Sequence, residues 1–476
     1  MKKLFKTTLF FFLITASSYG QEKYSKTALM TDMDILKTNL EQIHAGLYTY
    51  SSKQEIDDWF KNSKESLKDS MTTFDFFKVM APLNSIIKNG HTAVHYPRFG
   101  EHFNVLPIKL YQYKNSFYVL GTFRSEYEGL IGKEITEING ISITEIFDKL
   151  LLNFTRDGNN LSMPSENLAH HFGLAYSLVY GTAPYFTINI KDDSKTNKAQ
   201  LKSVLLNGEV LQYYRTYIET GFPVFEIKNN IGVLTFSSFD ENDLKKDNYK
   251  RYLHDTFQKI KEDNLQNLIV DVRNNGGGDP IPTQELISYL LDKEFVMYKD
   301  VYTITNKIKD RKYYKKQGVF LLNLFSWLKV KKIDDHKYIR RNKEGSDLYL
   351  QKQNNFKGNL YILINGNSFS ATGEFTSFVE HNREVTFIGE EVGGNKIQNT
   401  SGMSLLLTLP NSKQRVSLPI VLWEMNVSAT NDAHGTIPDY WVRNTIEQEL
   451  DNTDGVMEFT IDLIEKSEVK NIEFQD

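Results

Sequence analysis

The chain contains no cysteine. That absence excludes disulfides, cysteine-bound metals, thiolate catalysis and a lipid-modified cysteine. Nor does either sign of charge dominate. The net charge is −4 over 476 residues, so the bulk balance offers nothing to a nucleic acid. No internal repeat and no low-complexity linker is found. The apolar stretch in the opening "MKKLFKTTLFFFLITASSYG" is too short and too early to span a membrane. Lys2 and Lys3 precede it, and Ser17, Ser18 and Gly20 follow it. Residues 1–20 therefore read as a secretory signal peptide cut after Gly20, and the protein is expected to be exported, to a periplasm or to the medium.

Hydrophobic residues make up 40% and aromatics 13%, enough for globular cores, and the length predicts more than one domain. Residues 21–98 read as helical. "DMDILKTNLEQIHAGLY" sets Ile35, Leu40 and Ile43 at near-helical spacing, and "TFDFFKVMAPLNSIIKNG" predicts one helix with Gly90 as its C-cap. Residues 99–215 have the texture of short strands, with a hairpin signal at Asn139-Gly140. Gly132, Ile135, Ile138, Asn139 and Gly140 resemble the core of a PDZ-like module, a fold that takes up peptide ends by strand addition. Residues 216–476 alternate strand and helix, which predicts an α/β layered core with largely parallel central strands. An insertion at about 298–357, dense in Lys and Arg, surrounds the apolar run Val319–Val330. It reads as a lid or packed helix; the alternative is an amphipathic surface that contacts a membrane.

Three turns carry chemistry. "DVRNNGGGDP", Asp271 to Pro280, puts three glycines after a buried strand, where bare N–H groups suit an oxyanion. One glycine would satisfy a tight turn; three exceed that need. "YILINGNSFSATGEFTSFVE", Tyr361 to Glu380, runs from strand to helix and crowds Ser368, Ser370 and Thr372 at the turn. Ser370 there is either a helix N-cap or a nucleophile with the Ala371 N–H beside it, and Glu374 suits the positive end of the helix dipole. A nucleophilic serine needs a base. Of ten histidines, His91 in "NGHTAVHY" and His434 in "NDAHGTIPDYW" sit on turns. Asp432 and Asp439 accompany His434, and an acid beside a catalytic histidine fixes its tautomer.

In this order "LIVDVRNNGGG", "ILINGNSFSATGEF", "FIGEEVGGN" and "GTIPD" resemble the C-terminal processing (tail-specific) serine peptidases. The likeness is to the tricorn-core and retinoid-binding-protein-like branch. It implies a crotonase/ClpP-like layered core, Ser370 as nucleophile, His91 as base and Asp432 as the supporting acid. It also implies an oxyanion hole from the Gly277 or Gly278 amide with that of Ala371. No metal or cofactor is required, and the partners are polypeptides, gathered by their C-terminal tails. The Ser–Lys branch carries its lysine where this chain has Asn395, with Lys396 one place late. Acyl-CoA chemistry on the same fold, and a peptide- or apolar-ligand-binding protein that has lost catalysis, are the rival expectations.

Overall fold

The computed structural model describes residues 22–100, 102–192, 195–215, 220–245, 248–314, 330–334, 337–340 and 347–473. The signal-peptide reading of residues 1–20 and nearly all of the apolar run at 319–330 lie outside them. No helix among the described residues is long and apolar enough to cross a membrane.

The chain begins with helices Lys26–Ile43, Lys53–Ser66, Thr73–Met80 and Leu83–Ile87. Ser52 with Glu55, and Thr72 with Asp75, form reciprocal caps that satisfy N–H groups no helical carbonyl can reach. The first helix buries Leu29, Met33, Leu36, Leu40 and Ile43, whereas Ile35 only flanks that core. The stretch that reads as one helix is two, because Pro82 lacks the N–H to continue the first. The second ends at Lys88, whose φ of 56° makes it the C-cap, so Gly90 does not hold that role.

Next comes an antiparallel sheet in the order Lys195–Lys202, Tyr185–Asp192, Glu134–Ile138, Ser116–Thr122 and Ile108–Tyr113. Asn139 (φ 51°) and Gly140 (φ 79°) turn the chain so that Ile138 pairs with Ile141. Between its strands the module also carries helices Ile143–Leu151 and Ser162–Tyr180, where the sequence texture predicts strands. The longer helix hides its period because it serves two cores. Leu168, Phe172 and Ala175 pack into the module, while Leu174 and Leu178 join the main core of the molecule.

The central sheet runs Val224–Lys228, Ile231–Thr235, Asn267–Asp271, Asn359–Ile364, Thr386–Gly389, Tyr440–Trp441. The first pair is antiparallel and the rest are parallel, as a buried, helix-covered sheet of near-continuous apolar strands should be. Leu253, Phe257, Leu286, Phe375 and Phe378 from three helices share one core with Leu268 and Val270, and the helix Gly455–Glu473 packs with Ile231, Val233 and Ile269 on the other. The strand Ala93–Val94 leaves the helical segment to pair with Val416 and Ser417. That pairing carries the "NGHT" turn into the core.

Candidate active site

The glycine turn and the serine turn leave adjacent parallel strands, Asn267–Asp271 and Asn359–Ile364, at their carboxyl ends. Asn275 clamps the two together. Its Nδ2 donates to the Phe236 carbonyl (2.8 Å), its Oδ1 accepts the Gly277 N–H (2.9 Å), and its carbonyl accepts the Phe369 N–H (3.0 Å). Gly277 (φ 99°) lies so close to the serine turn that a Cβ there would stand 2.8 Å from the Ala371 nitrogen and from Ser370 Cβ. Only glycine fits. The Gly277 N–H is thus occupied by Asn275. Among the described residues, the Gly278 and Ala371 N–H groups have no acceptor.

Ser370 precedes the helix Ala371–Asn382 but does not cap it through its side chain. Its backbone, φ 55° and ψ −121°, is one that a non-glycine residue adopts only when its surroundings impose it. Ser368 supplies part of that constraint, its Oγ donating to the Val272 carbonyl (2.8 Å). The Ser370 hydroxyl is left free to face other partners, and His91 Nε2 lies 3.2 Å from its Oγ, across 279 positions of sequence. The His91 ring stacks on Phe369 with centroids 4.7 Å apart, and burial lowers its pKa to about 4. It is therefore a neutral imidazole at neutral pH.

On the far side of the hydroxyl, Asn399 Nδ2 approaches Ser370 Oγ at 3.4 Å and donates to Glu374 Oε1 at 2.8 Å. Tyr298 donates its hydroxyl to the other Glu374 oxygen. Glu374 is 3% exposed and burial raises its pKa, with the two donors opposing that rise. Sequence reasoning found neither Asn275 nor Asn399, and read Glu374 only as a charge at a helix start. The one available signal was Asn275 in "RNNGGG".

The remaining predicted residues fall elsewhere. Asp432 is exposed and accepts the His434 N–H (3.0 Å); no hydrogen bond joins it to His91, whose Nδ1 has no partner among the described residues. His434 Nδ1 lies 3.0 Å from Glu391, away from the serine. Lys396 Nζ stands 3.7 Å from Glu380 Oε1, and its carbonyl accepts the Ser377 hydroxyl. The offset of Lys396 from the Ser–Lys position is thus realised as a side chain directed at another partner. Beyond the glycine turn, a cavity of about 630 Å³ opens between module and core, with Tyr111 and His170 on one wall and Arg273, Asn274 and Asn365 on the other.

A layered parallel sheet with a strained serine at a strand end, an imidazole on its hydroxyl and a glycine turn alongside is the class of a serine-type peptidase. Residues 230–442 match the family model of peptidase family S41. No curated protein matches the sequence. Among solved structures, a CPAF mutant is similar with a TM-score of 0.65 at 14% identity, over 90% of this chain and 95% of that one. Mature CPAF complexed with lactacystin is similar with a TM-score of 0.64 at 15% identity, over 95% and 99%. At such identities the likeness is one of fold.

Proposed function

We propose that the protein is an exported serine endopeptidase in which Ser370 forms the acyl-enzyme and His91 is the general base. One observation carries this reading: His91 Nε2 within 3.2 Å of Ser370 Oγ, brought there from a separate region of the chain. As Ser370 Oγ attacks the peptide carbonyl, His91 Nε2 takes its proton. The Gly278 and Ala371 amides stabilise the oxyanion that results. When the C–N bond breaks, the imidazolium returns the proton to the leaving amine. Water, deprotonated by the same imidazole, then attacks the ester and frees Ser370. Asp432, without a bond to the ring, takes no direct part, so the machinery is a dyad. Asn399 Nδ2 also lies 3.4 Å from that hydroxyl.

The substrates are polypeptides. The cavity between module and core is lined by Arg273 and Asn274, which lead into the glycine turn, so a tail held by the module would enter there. Export rests on the residues 1–20 pattern and is tested by cell fractionation. The catalytic reading is tested with a fluorophosphonate probe on the intact protein. Labelling at Ser370 that disappears in Ser370→Ala, and that lactacystin competes away, supports the enzyme. Absent labelling together with tight peptide binding would make the chain a binder that has lost its chemistry. Loss of turnover in Lys396→Ala, but not in His91→Ala, would return the Ser–Lys dyad.

A further inference from the structure

A buried carboxylate outside the dyad remains unexplained by the chemistry above. Asp157 is 5% exposed and stands on the segment joining the module helices Ile143–Leu151 and Ser162–Tyr180. One of its oxygens accepts the N–H of Gly90, immediately before His91, at 2.7 Å, and its carboxylate also accepts the Asn395 N–H. Gly90 is held between two hard surfaces. A Cβ at that position would meet the Phe369 ring at 2.6 Å and Asp157 Oδ1 at 3.3 Å. Phe369 is the ring on which His91 stacks and the residue before Ser370.

We infer that Asp157, supplied by the β-module, is a positioning residue for His91: through Gly90 it sets the height and tilt of the imidazole over Ser370. This rests on the Ser370–His91 reading above and adds to it a member that the sequence did not reveal. Three features separate this role from general scaffolding. The segment is already fastened without Asp157: Gly158 N–H donates to the Lys88 carbonyl (2.9 Å), Asn159 N–H to the Ala433 carbonyl (2.8 Å), and Asn160 Nδ2 to the Val392 carbonyl (3.1 Å). Besides the Asn395 N–H, Asp157 bonds the Asn89–Gly90 peptide unit, one residue ahead of the histidine. Its carboxylate has no cation within ion-pairing distance among the described residues, and burial lifts its pKa to about 6. A carboxylate so placed costs stability at neutral pH, so packing alone does not account for it. Finally, His91 Nδ1 has no partner among the described residues, so beyond the Phe369 stack and the Ser370 hydroxyl no side chain fixes the ring, and its orientation also depends on the backbone to which it is attached. The module that would gather substrate thereby touches, through this side chain, the residue next to His91.

The test compares wild type, Asp157→Ala and Asp157→Asn as full chains. Two quantities are measured: the second-order rate of fluorophosphonate labelling at Ser370, and kcat and KM on fluorescein-labelled casein, with near-UV circular dichroism as the check on folding. Expected are labelling and kcat at least tenfold lower in Asp157→Ala with KM within twofold, and an intermediate effect in Asp157→Asn, which keeps one acceptor oxygen. A folded Asp157→Ala that labels at the wild-type rate, or that changes KM alone, would overturn the inference. Where Asp157→Ala does not fold, Asp157→Asn decides. Slower labelling with an unchanged spectrum supports the role, and wild-type labelling ends it. The two readings fail differently. A wild-type protein that labels no better than Ser370→Ala removes the Ser370 reading and this inference together, whereas wild-type labelling matched by both Asp157 variants removes only the role of Asp157.

Discussion

At the scale of single residues, the decisive feature is an imidazole kept neutral. Burial lowers the His91 pKa from an ordinary 6.5 to about 4, so the base form persists through all moderately acidic conditions. Protonation of His91 should therefore abolish kcat/KM only below about pH 4, as it removes the acceptor for the serine proton, beneath a shallower, partial step near pH 6 from Asp157. A complete loss of activity centred near pH 6.5 in a steady-state pH series would contradict this. His91→Ala should lower kcat by about 10³-fold, within the range of a positioned general base, and leave the far-UV spectrum unchanged. Ser370 and His91 were both legible in the sequence, because a hydroxyl at a strand-to-helix turn and a histidine on a turn are local patterns. Asp157, Asn275 and Asn399 were not. Their roles arise only from the neighbours that folding brings to them, and an isolated Asp or Asn on a loop is ordinarily a turn former. Asp432 was legible for the same reason that it misled: it sits near a histidine in sequence, but that histidine is His434.

Among elements, the glycine turn and the serine helix behave as one unit. Gly277→Ala must both accept a φ of 99° and press a methyl against Ser370 and Ala371. The strain is of order 1–3 kcal/mol, and activity should fall further than stability because the displaced groups are the proposed nucleophile and its neighbouring N–H. Denaturant melts alongside labelling rates separate the two effects. Inside the helix, Glu374→Gln replaces an acceptor oxygen with an NH2 facing the Tyr298 or Asn399 donor. A loss of about 1–3 kcal/mol in unfolding free energy from urea melts is expected, since one buried donor is left without a partner. In sequence, Ala371, Phe375, Phe378 and Val379 mark one apolar face of the helix, yet Thr372, Thr376 and Ser377 are also fully buried. Periodicity reports one face and cannot show that a second element covers the other. For the same reason the helix Ser162–Tyr180 was missed, while the strands and helices of the parallel core were read correctly from alternation and capping.

Across the whole molecule, polar ties join the parts. Asp32 of the first helix accepts N–H groups from Asn411 and Ser412. Arg443 pairs with Glu390 of the core and with Glu166 of the module, and its Nε donates to the Tyr111 hydroxyl. Removing its charge in Arg443→Ala leaves two carboxylates facing each other and should cost about 3 kcal/mol, visible as early release of the module in limited proteolysis. Acid should weaken the entire fold. Burial lowers His44, His91 and His170 to about 4, so their contribution is complete above the unfolded value of 6.5 and is lost as pH falls towards 4. Asp157 works in the opposite direction: its raised pKa makes a penalty that builds as pH rises from 3.8 and is complete above about 6. A melting temperature that holds level from pH 7 down to 4 would show that these histidines are not buried as described.

The strand Ala93–Val94 has one further consequence. Because it hands the imidazole to a hydroxyl encoded 279 positions later, the proposed dyad is complete in no fragment that lacks either residue. On that reading a chain still emerging from the ribosome, or cut short before the serine helix, cannot cut. The blade closes only once the two distant segments have met.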